Sequence, residues 1–176
     1  GDVYKRQDLN TLIRDVENFP KEGILFKDIT PLLQDAKGLQ ESIDKMAESV
    51  QDVDFDIVIG PESRGFIFGV PLAYKLQKGF VPVRKPGKLP YETIGQSYDL
   101  EYGSNTIEMH IDAIKPGQKV IIADDLLATG GTTKAIVDLV EKLGGEVVKI
   151  VYLIELEGLN GRELLKGQNI VSLLKY

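Results

Sequence analysis

The chain has no cysteine, which excludes disulfides, thiolate metal sites and a cysteine nucleophile. It has one histidine, His110, so a histidine-based metal cluster or a Ser-His-Asp triad is not expected. No apolar run approaches bilayer-spanning length and no secretory pattern is visible; the expectation is a soluble, cytoplasmic protein. Basic residues are in the minority, 21 Lys and Arg against 27 Asp and Glu for a net charge of -6. That balance argues against nucleic acid as the main partner, although acidity can also serve solubility alone. There is no internal repeat, low-complexity tract or domain linker. The 176 residues suffice for one domain with its own core. Residues 1–7, Gly-Asp-Val-Tyr-Lys-Arg-Gln, carry no clear pattern and no initiator Met. They are read as a cloning remnant, and residues 8–176 as a single domain.

What is present centres on residues 120–133, Val-Ile-Ile-Ala-Asp-Asp-Leu-Leu-Ala-Thr-Gly-Gly-Thr-Thr. The apolar run Val120–Ala123 reads as a buried strand of a parallel sheet, ending in the acids Asp124 and Asp125. Gly130 and Gly131 follow, then Thr132, Thr133 and a helix whose Ile136, Leu139, Val140 and Leu143 share one face. A strand, a Gly-containing loop and a helix N-terminus make an anion site, because free N–H groups and the helix dipole converge there. The Walker lysine and the dinucleotide Gly-x-Gly-x-x-Gly are both missing. Two carboxylates ahead of a phosphate cradle suit a sugar phosphate. The acids can accept from ribose hydroxyls or help hold a metal while the loop takes the phosphate. The bland alternative is a strand–turn–helix with solvated aspartates at a strand end.

Earlier in the chain, a short helix is expected at Leu9–Val16, ended by Phe19-Pro20. Residues 19–33 form a shaped loop with an apolar centre, where Thr30-Pro31 supplies an N-cap and a first-turn proline. Leu25 and Phe26 there either pack on the core or touch a flat ligand. A helix follows at Leu39–Val50, with Leu39, Ile43, Met46, Ala47 and Val50 inward. The first sheet strand, Phe55–Ile59, feeds Gly60-Pro61-Glu62-Ser63-Arg64-Gly65-Phe66 and a helix over residues 65–78, with Pro71 near its first turn or kinking it. Ser63, Arg64 and backbone amides make this a second anion site; a surface salt bridge is the plainer role for Arg64. Pro61 removes an amide donor, so no contact is assigned to it. Strand Phe80–Arg84 leads into Arg84-Lys85-Pro86-Gly87-Lys88-Leu89-Pro90, a basic stretch able to face a polyanion. Gln96–Glu101 and Thr106–Ile111 alternate as a hairpin projecting from the sheet, with Glu101 and Tyr102 at its tip; His110 is given no catalytic role. Gly144-Gly145 caps the helix after the central loop. Val147–Ile154 and Ile170–Leu174 are strands, and Leu159–Leu165 a short helix. Alternating strands and helices over 55–154 predict an α/β fold, a mostly parallel central sheet covered on both faces with ligands at the carboxyl ends of its strands.

The 120–133 stretch resembles the phosphoribosyl pyrophosphate (PRPP) signature of the type I phosphoribosyltransferases: four apolar residues, two acids, two apolar residues, then Ala-Thr-Gly-Gly-Thr. Four further segments resemble the adenine phosphoribosyltransferases within that family. They are Phe19 to Thr30 (Phe-Pro-x-x-Gly-Ile-Leu-Phe-Lys-Asp-Ile-Thr), Gly-x-x-Ser-Arg-Gly-Phe from Gly60, Arg84 to Pro90, and Leu100-Glu101-Tyr102-Gly103. The resemblance spans almost all of residues 9–176. It implies the type I phosphoribosyltransferase fold, with a small N-terminal base-binding hood and a flexible hairpin that closes over the site. It implies transfer of phosphoribose from PRPP to adenine in purine salvage, giving AMP and pyrophosphate, with Mg2+ and a homodimer. By residue, it implies that Ala128, Thr129, Gly130, Gly131 and Thr132 hold the 5′-phosphate and that Asp124 and Asp125 hold the ribose. Ser63, Arg64, Arg84, Lys85, Lys88 and Tyr102 would hold pyrophosphate, and Leu25, Phe26, Lys27 and Leu127 adenine. Glu101 and Arg64 are the catalytic candidates. No metal ligand comes from the protein, unless Asp124 and Asp125 share in binding Mg2+. A cis peptide bond is expected near Glu62-Ser63. The alternatives are a phosphoribosyltransferase for hypoxanthine, guanine or xanthine, and a non-catalytic PRPP-sensing regulator.

Overall fold

The computed structural model describes residues 8–100 and 102–176; the expected remnant and Glu101 lie outside them. The chain forms two compact units, one up to Lys45 and one from Met46 onward.

The first unit begins with a 3-10 turn, Leu9–Leu12, capped by the Asp8 side chain. The expected helix over Leu9–Val16 does not form. Leu12, Ile13 and Val16 have helical spacing, but the segment turns into strand β1 (Arg14–Glu17), which pairs antiparallel with β2 (Leu25–Asp28). The expected loop around Leu25 and Phe26 is therefore strand. The partner strand, invisible to local periodicity, decides the outcome. Arg14–Asp28 and Lys27–Asp15 ion pairs, 2.8 and 2.6 Å long, bridge the two strands. Helix α1 (Thr30–Gln34) carries Pro31 in its first turn as expected, but its N-cap is Ile29. Asp28 takes over the capping role, its Oδ1 accepting from both the backbone N–H and the hydroxyl of Thr30. Helix α2 (Ala36–Ser49) follows; Ile43, Met46 and Ala47 on it are buried.

The second unit holds a five-stranded sheet. Its strands are β3 (Ile57–Pro61), β4 (Gly79–Val83), β7 (Lys119–Leu127), β8 (Glu146–Glu155) and β9 (Ile170–Lys175), in the order β4-β3-β7-β8-β9, all parallel. Parallel strands need crossovers. One is helix α3 (Arg64–Lys75), packed on β3, β4 and β7; another includes α4 (Gly131–Lys142), packed on β8. Side-chain alternation splits the strands between two layers. Ile59, Val81, Ile122, Ile150 and Tyr152 join Ile136, Leu139 and Val140 in the core on the α4 side. α3 can approach β4 closely because Gly69 has no Cβ: one there would come 2.5 Å from the Phe80 ring. Pro71 lies inside α3, past the first turn, and the helix runs through it.

β5 (Thr93–Asp99) and β6 (Ser104–His110) form the expected hairpin. It lies against α4 instead of simply projecting, and Ile107 and Met109 are buried in the α4-side core. Arg84 joins it to the end of β4 through paired backbone hydrogen bonds with Glu108. His110 accepts from the Tyr91 N–H at 3.3 Å. A 3-10 turn (Glu157–Leu159) and helix α5 (Gly161–Leu164) connect β8 to β9.

Candidate active site

β7 outruns its apolar signal. The sequence places its end at Ala123, yet pairing with β8 continues through Asp124↔Tyr152, Leu126↔Ile154 and Leu127↔Glu155. Both acids are therefore held within a strand, not at a frayed end, and Asp125 is buried. Asp124 Oδ1 accepts the Asp125 N–H at 2.8 Å. Burial pushes the Asp124 carboxyl well above the usual carboxylate range; the Asp125 charge adds to this and Arg64 opposes it. Asp124 is thus biased toward keeping a proton, while Asp125 pairs with Arg64, Nε to Oδ2, at 2.7 Å.

Arg64 opens α3 directly after β3. The Glu62–Ser63 peptide bond ahead of it is cis, as expected. Because β3 and β7 are neighbours in the sheet, this loop and the acidic pair border one cleft, with Glu62, Ser63, Arg64, Asp124, Asp125 and Thr132 on its walls. Gly65 makes the approach possible: a Cβ there would lie 2.7 Å from the Pro61 ring and 3.1 Å from Asp124 Oδ1. Pro61 is buried and also lines this cleft.

Glu62 is a hub that the sequence reading passed over. Its carboxylate accepts from Arg84 Nε at 3.2 Å, the Lys85 backbone N–H at 2.8 Å and Lys88 Nζ at 2.8 Å. The hydrogen bond from Lys88, with the Lys85 N–H and the charges of Lys88 and Arg84, holds its pKa down at about 2. All three expected basic residues are thereby gathered beside the Glu62–Arg64 loop. Tyr102 is not gathered with them; it lies 86% exposed beyond the end of β5.

An adjoining cleft, sharing Asp124, Leu126 and Thr132 with the first, is walled by residues 126–133 and by Tyr98 and Leu100 of the hairpin. Gly130 is the left-handed N-cap of α4 at φ 90°, and no side chain caps the helix there. The first amides of α4 are thus left for a ligand. A Cβ on Gly130 would lie 2.8 Å from the Gly161 carbonyl oxygen, so this glycine is required by the loop as well as by any phosphate. Ala128, Thr129, Gly131 and Thr132 line the cleft as expected, and Leu127 is fully buried at its base. Tyr98 was missed. Its ring lies against Gly131, where a Cβ would come 2.9 Å from Cδ2, and its hydroxyl accepts from Thr132 Oγ1 at 3.2 Å.

The remaining candidates, Leu25, Phe26 and Lys27, belong to the first unit. Phe26 packs edge-on to Phe19 with ring centroids 5.1 Å apart. Lys27 is committed to Asp15, while Leu25 is half exposed beside a shallow cleft with Glu17, Asn18 and Ile24.

Known proteins resemble this chain closely. The phosphoribosyl transferase domain matches residues 28–170. An adenine phosphoribosyltransferase of Lachnoclostridium phytofermentans is 62% identical over 96% of this chain and 97% of its own length. One from Thermosipho africanus is 59% identical over 95% and 98%. Among solved structures, the adenine phosphoribosyltransferase of Thermoanaerobacter pseudethanolicus superposes with a TM-score of 0.94 at 54% identity, covering 96% of this chain and 98% of that one. The Saccharomyces cerevisiae enzyme, solved with an imino-altritol bisphosphate and adenine, gives 0.89 at 42% identity over 94% and 96%. With a parallel sheet carrying two loops about an acidic pair at the carboxyl ends of neighbouring strands, and relatives this near over nearly its full length, the chain belongs to the adenine phosphoribosyltransferase family.

Proposed function

We propose that the chain transfers the 5-phosphoribosyl group from PRPP to adenine, releasing AMP and pyrophosphate. One observation carries the reading: two anion loops at the carboxyl ends of neighbouring strands border adjoining clefts with Asp124 on the wall of both. A substrate with a monophosphate at one end of a ribose and a diphosphate at the other needs that arrangement. The relatives reported above are named for adenine, and no observation favours another purine or a regulator without turnover.

In this reading the backbone of Ala128–Thr132 at the start of α4 takes the 5′-phosphate, and Asp124 and Asp125 orient the ribose hydroxyls. Ser63, Arg64, Arg84, Lys85, Lys88 and Tyr102 take the pyrophosphate, and Leu25, Phe26, Lys27 and Leu127 the base. The bond from ribose C1 to pyrophosphate oxygen breaks, and pyrophosphate leaves with the electron pair. Adenine N9 then bonds to C1 and gives up its proton. Positioning and charge stabilisation supply most of the catalysis. Arg64 would exchange Asp125 for the leaving group, freeing that carboxylate for the ribose. Glu101 is assigned the proton on the base or support of the cationic C1.

Mg2+ fits the two acids, since it commonly takes one or two carboxylates and completes its shell with waters and substrate phosphates. Among the described residues no group of three or more His, Cys, Asp or Glu could hold a metal; pyrophosphate and ribose would supply most of the Mg2+ shell, and any share from the protein would fall to Asp124 and Asp125. When bound, the ion neutralises charge on the departing pyrophosphate. A cytoplasmic homodimer completes the proposal; among the described residues no helix is long and apolar enough to cross a membrane. The test is incubation with PRPP, Mg2+ and adenine. AMP and pyrophosphate should appear in equal amounts, and their absence would reject the reading.

A further inference from the structure

We infer that Tyr98 is a further binding residue for the 5′-phosphate, donating its phenolic proton to a phosphate oxygen while it holds Thr132 in place. This rests on the proposed phosphate role of the 128–132 loop.

Three features of the hydroxyl support it. Tyr98 shares the wall of the cleft with Ala128, Thr129, Gly131 and Thr132, although it comes from the hairpin. Its oxygen accepts from Thr132 Oγ1 at 3.2 Å, so that bond uses the threonine proton and leaves the phenolic one. Among the described residues the Tyr98 hydroxyl makes no second hydrogen bond. A phenol in that state, beside helix amides and with one lone pair satisfied, is a ready donor to an anion, and an anionic acceptor strengthens the bond.

The ring also fixes the loop. It lies where a Cβ on Gly131 would come 2.9 Å from Cδ2, so Gly131 lets the aromatic face reach the backbone that opens α4. Thr132 cannot give its one proton to Tyr98 and to phosphate at once. The pair therefore acts as a relay, Thr132 O–H to Tyr98 and Tyr98 O–H to phosphate, while the Thr132 backbone N–H stays directed by the helix. Tyr98 also lies three residues before Glu101, so it ties the strand leading to the catalytic candidate to the phosphate loop.

Tyr98→Phe separates this from packing, because the ring stays and only the hydroxyl goes. Equilibrium binding of AMP and of adenosine is measured on wild type and variant, with melting temperature alongside. The 5′-phosphate contribution is the ratio of the two affinities. That ratio should fall about ten- to a hundredfold in the variant, the worth of one charge-assisted hydrogen bond, with adenosine affinity and melting temperature unchanged. The PRPP KM should rise by a similar factor and the adenine KM should not. A wild type that prefers AMP strongly and a variant that keeps the same ratio would overturn this inference alone. A wild type that binds AMP no better than adenosine would overturn the phosphate-loop reading with it.

Discussion

Arg64 Nε stands 2.7 Å from Asp125 Oδ2, joining the loop after β3 to the acidic pair on β7. This ion pair joins two groups that the proposed reaction uses separately, the guanidinium on pyrophosphate and the carboxylate on ribose. Asp125→Asn should therefore lower kcat/KM for PRPP by about 2–4 kcal/mol of transition-state stabilisation. Wild-type kcat/KM in the variant would remove Asp125 from the site.

Asp124 gives a prediction about stability against pH. Its folded pKa is raised, so between the unfolded value and the folded one the native state binds more protons than the unfolded state. Its unfavourable contribution therefore grows as pH rises through that window and is complete above the folded pKa. Asp124→Asn should melt higher than wild type at neutral pH, by about 2–4 °C per kcal/mol relieved, and equally at pH 3. The same variant should lose PRPP turnover. Melting curves across pH test this, and a variant less stable than wild type at pH 7 would contradict it.

Glu155 at the end of β8 is buried and bound by Arg162 through Nε and an Nη, with Ser172 Oγ donating at 2.8 Å. The Arg162 hydrogen bonds lower the Glu155 pKa. A lowered acid stabilises above its unfolded pKa, and that stability is lost as pH falls through the folded value. Arg162 is itself about half exposed, so solvent screens part of the pair. Arg162→Met should cost roughly 1–3 kcal/mol at pH 7, and the deficit should shrink below about pH 4 as Glu155 takes a proton. Denaturant unfolding at the two pH values is the measurement; an equal deficit at both would exclude Glu155 as the cause.

Substitution at Gly130 cannot be a clean probe of phosphate binding. From sequence, Gly130→Val is expected to block phosphate approach and raise the PRPP KM while sparing the fold. The φ of 90° and the 2.8 Å approach to the Gly161 carbonyl oxygen change that expectation. Even Gly130→Ala should destabilise by about 1–3 kcal/mol and raise the PRPP KM together with it. A stable variant with raised KM would show that α5 yields to the added methyl group.

Glu101→Gln should lower kcat more than it weakens binding, because the assigned role belongs to the reacting state. A variant whose defect is confined to KM would make Glu101 a binding residue.

Much of this was legible in the sequence because the phosphate loops are local. Gly130, Gly131 and Thr132 follow their strand within a few residues, and so do Ser63 and Arg64. What escaped depends on contacts between distant residues. Val16 looks helical until Phe26 is seen opposite it. Tyr98 looks like an ordinary strand residue until its hydroxyl meets Thr132, 34 positions away. Glu62 is visible in the sequence as part of the loop after β3, but the role of its carboxylate shows only when Arg84 and Lys88 converge on it. Asp124 and Asp125 were identified, but the pairing with β8 that sets their burial is not carried by two acidic residues after an apolar run.

The central claim is that the base is adenine. Adenine offers a donor at N6 and an acceptor at N1; hypoxanthine reverses that edge, leaving two buried groups unpaired at roughly 1–3 kcal/mol each. The deciding measurement is PRPP-dependent turnover with adenine, hypoxanthine and guanine side by side, on wild type and Phe26→Ala. The account predicts adenine preferred over hypoxanthine by at least about a hundredfold in kcat/KM, and a Phe26→Ala variant with a raised adenine KM and near-normal PRPP KM. Comparable rates with adenine and hypoxanthine, or a normal adenine KM in that variant, would contradict it.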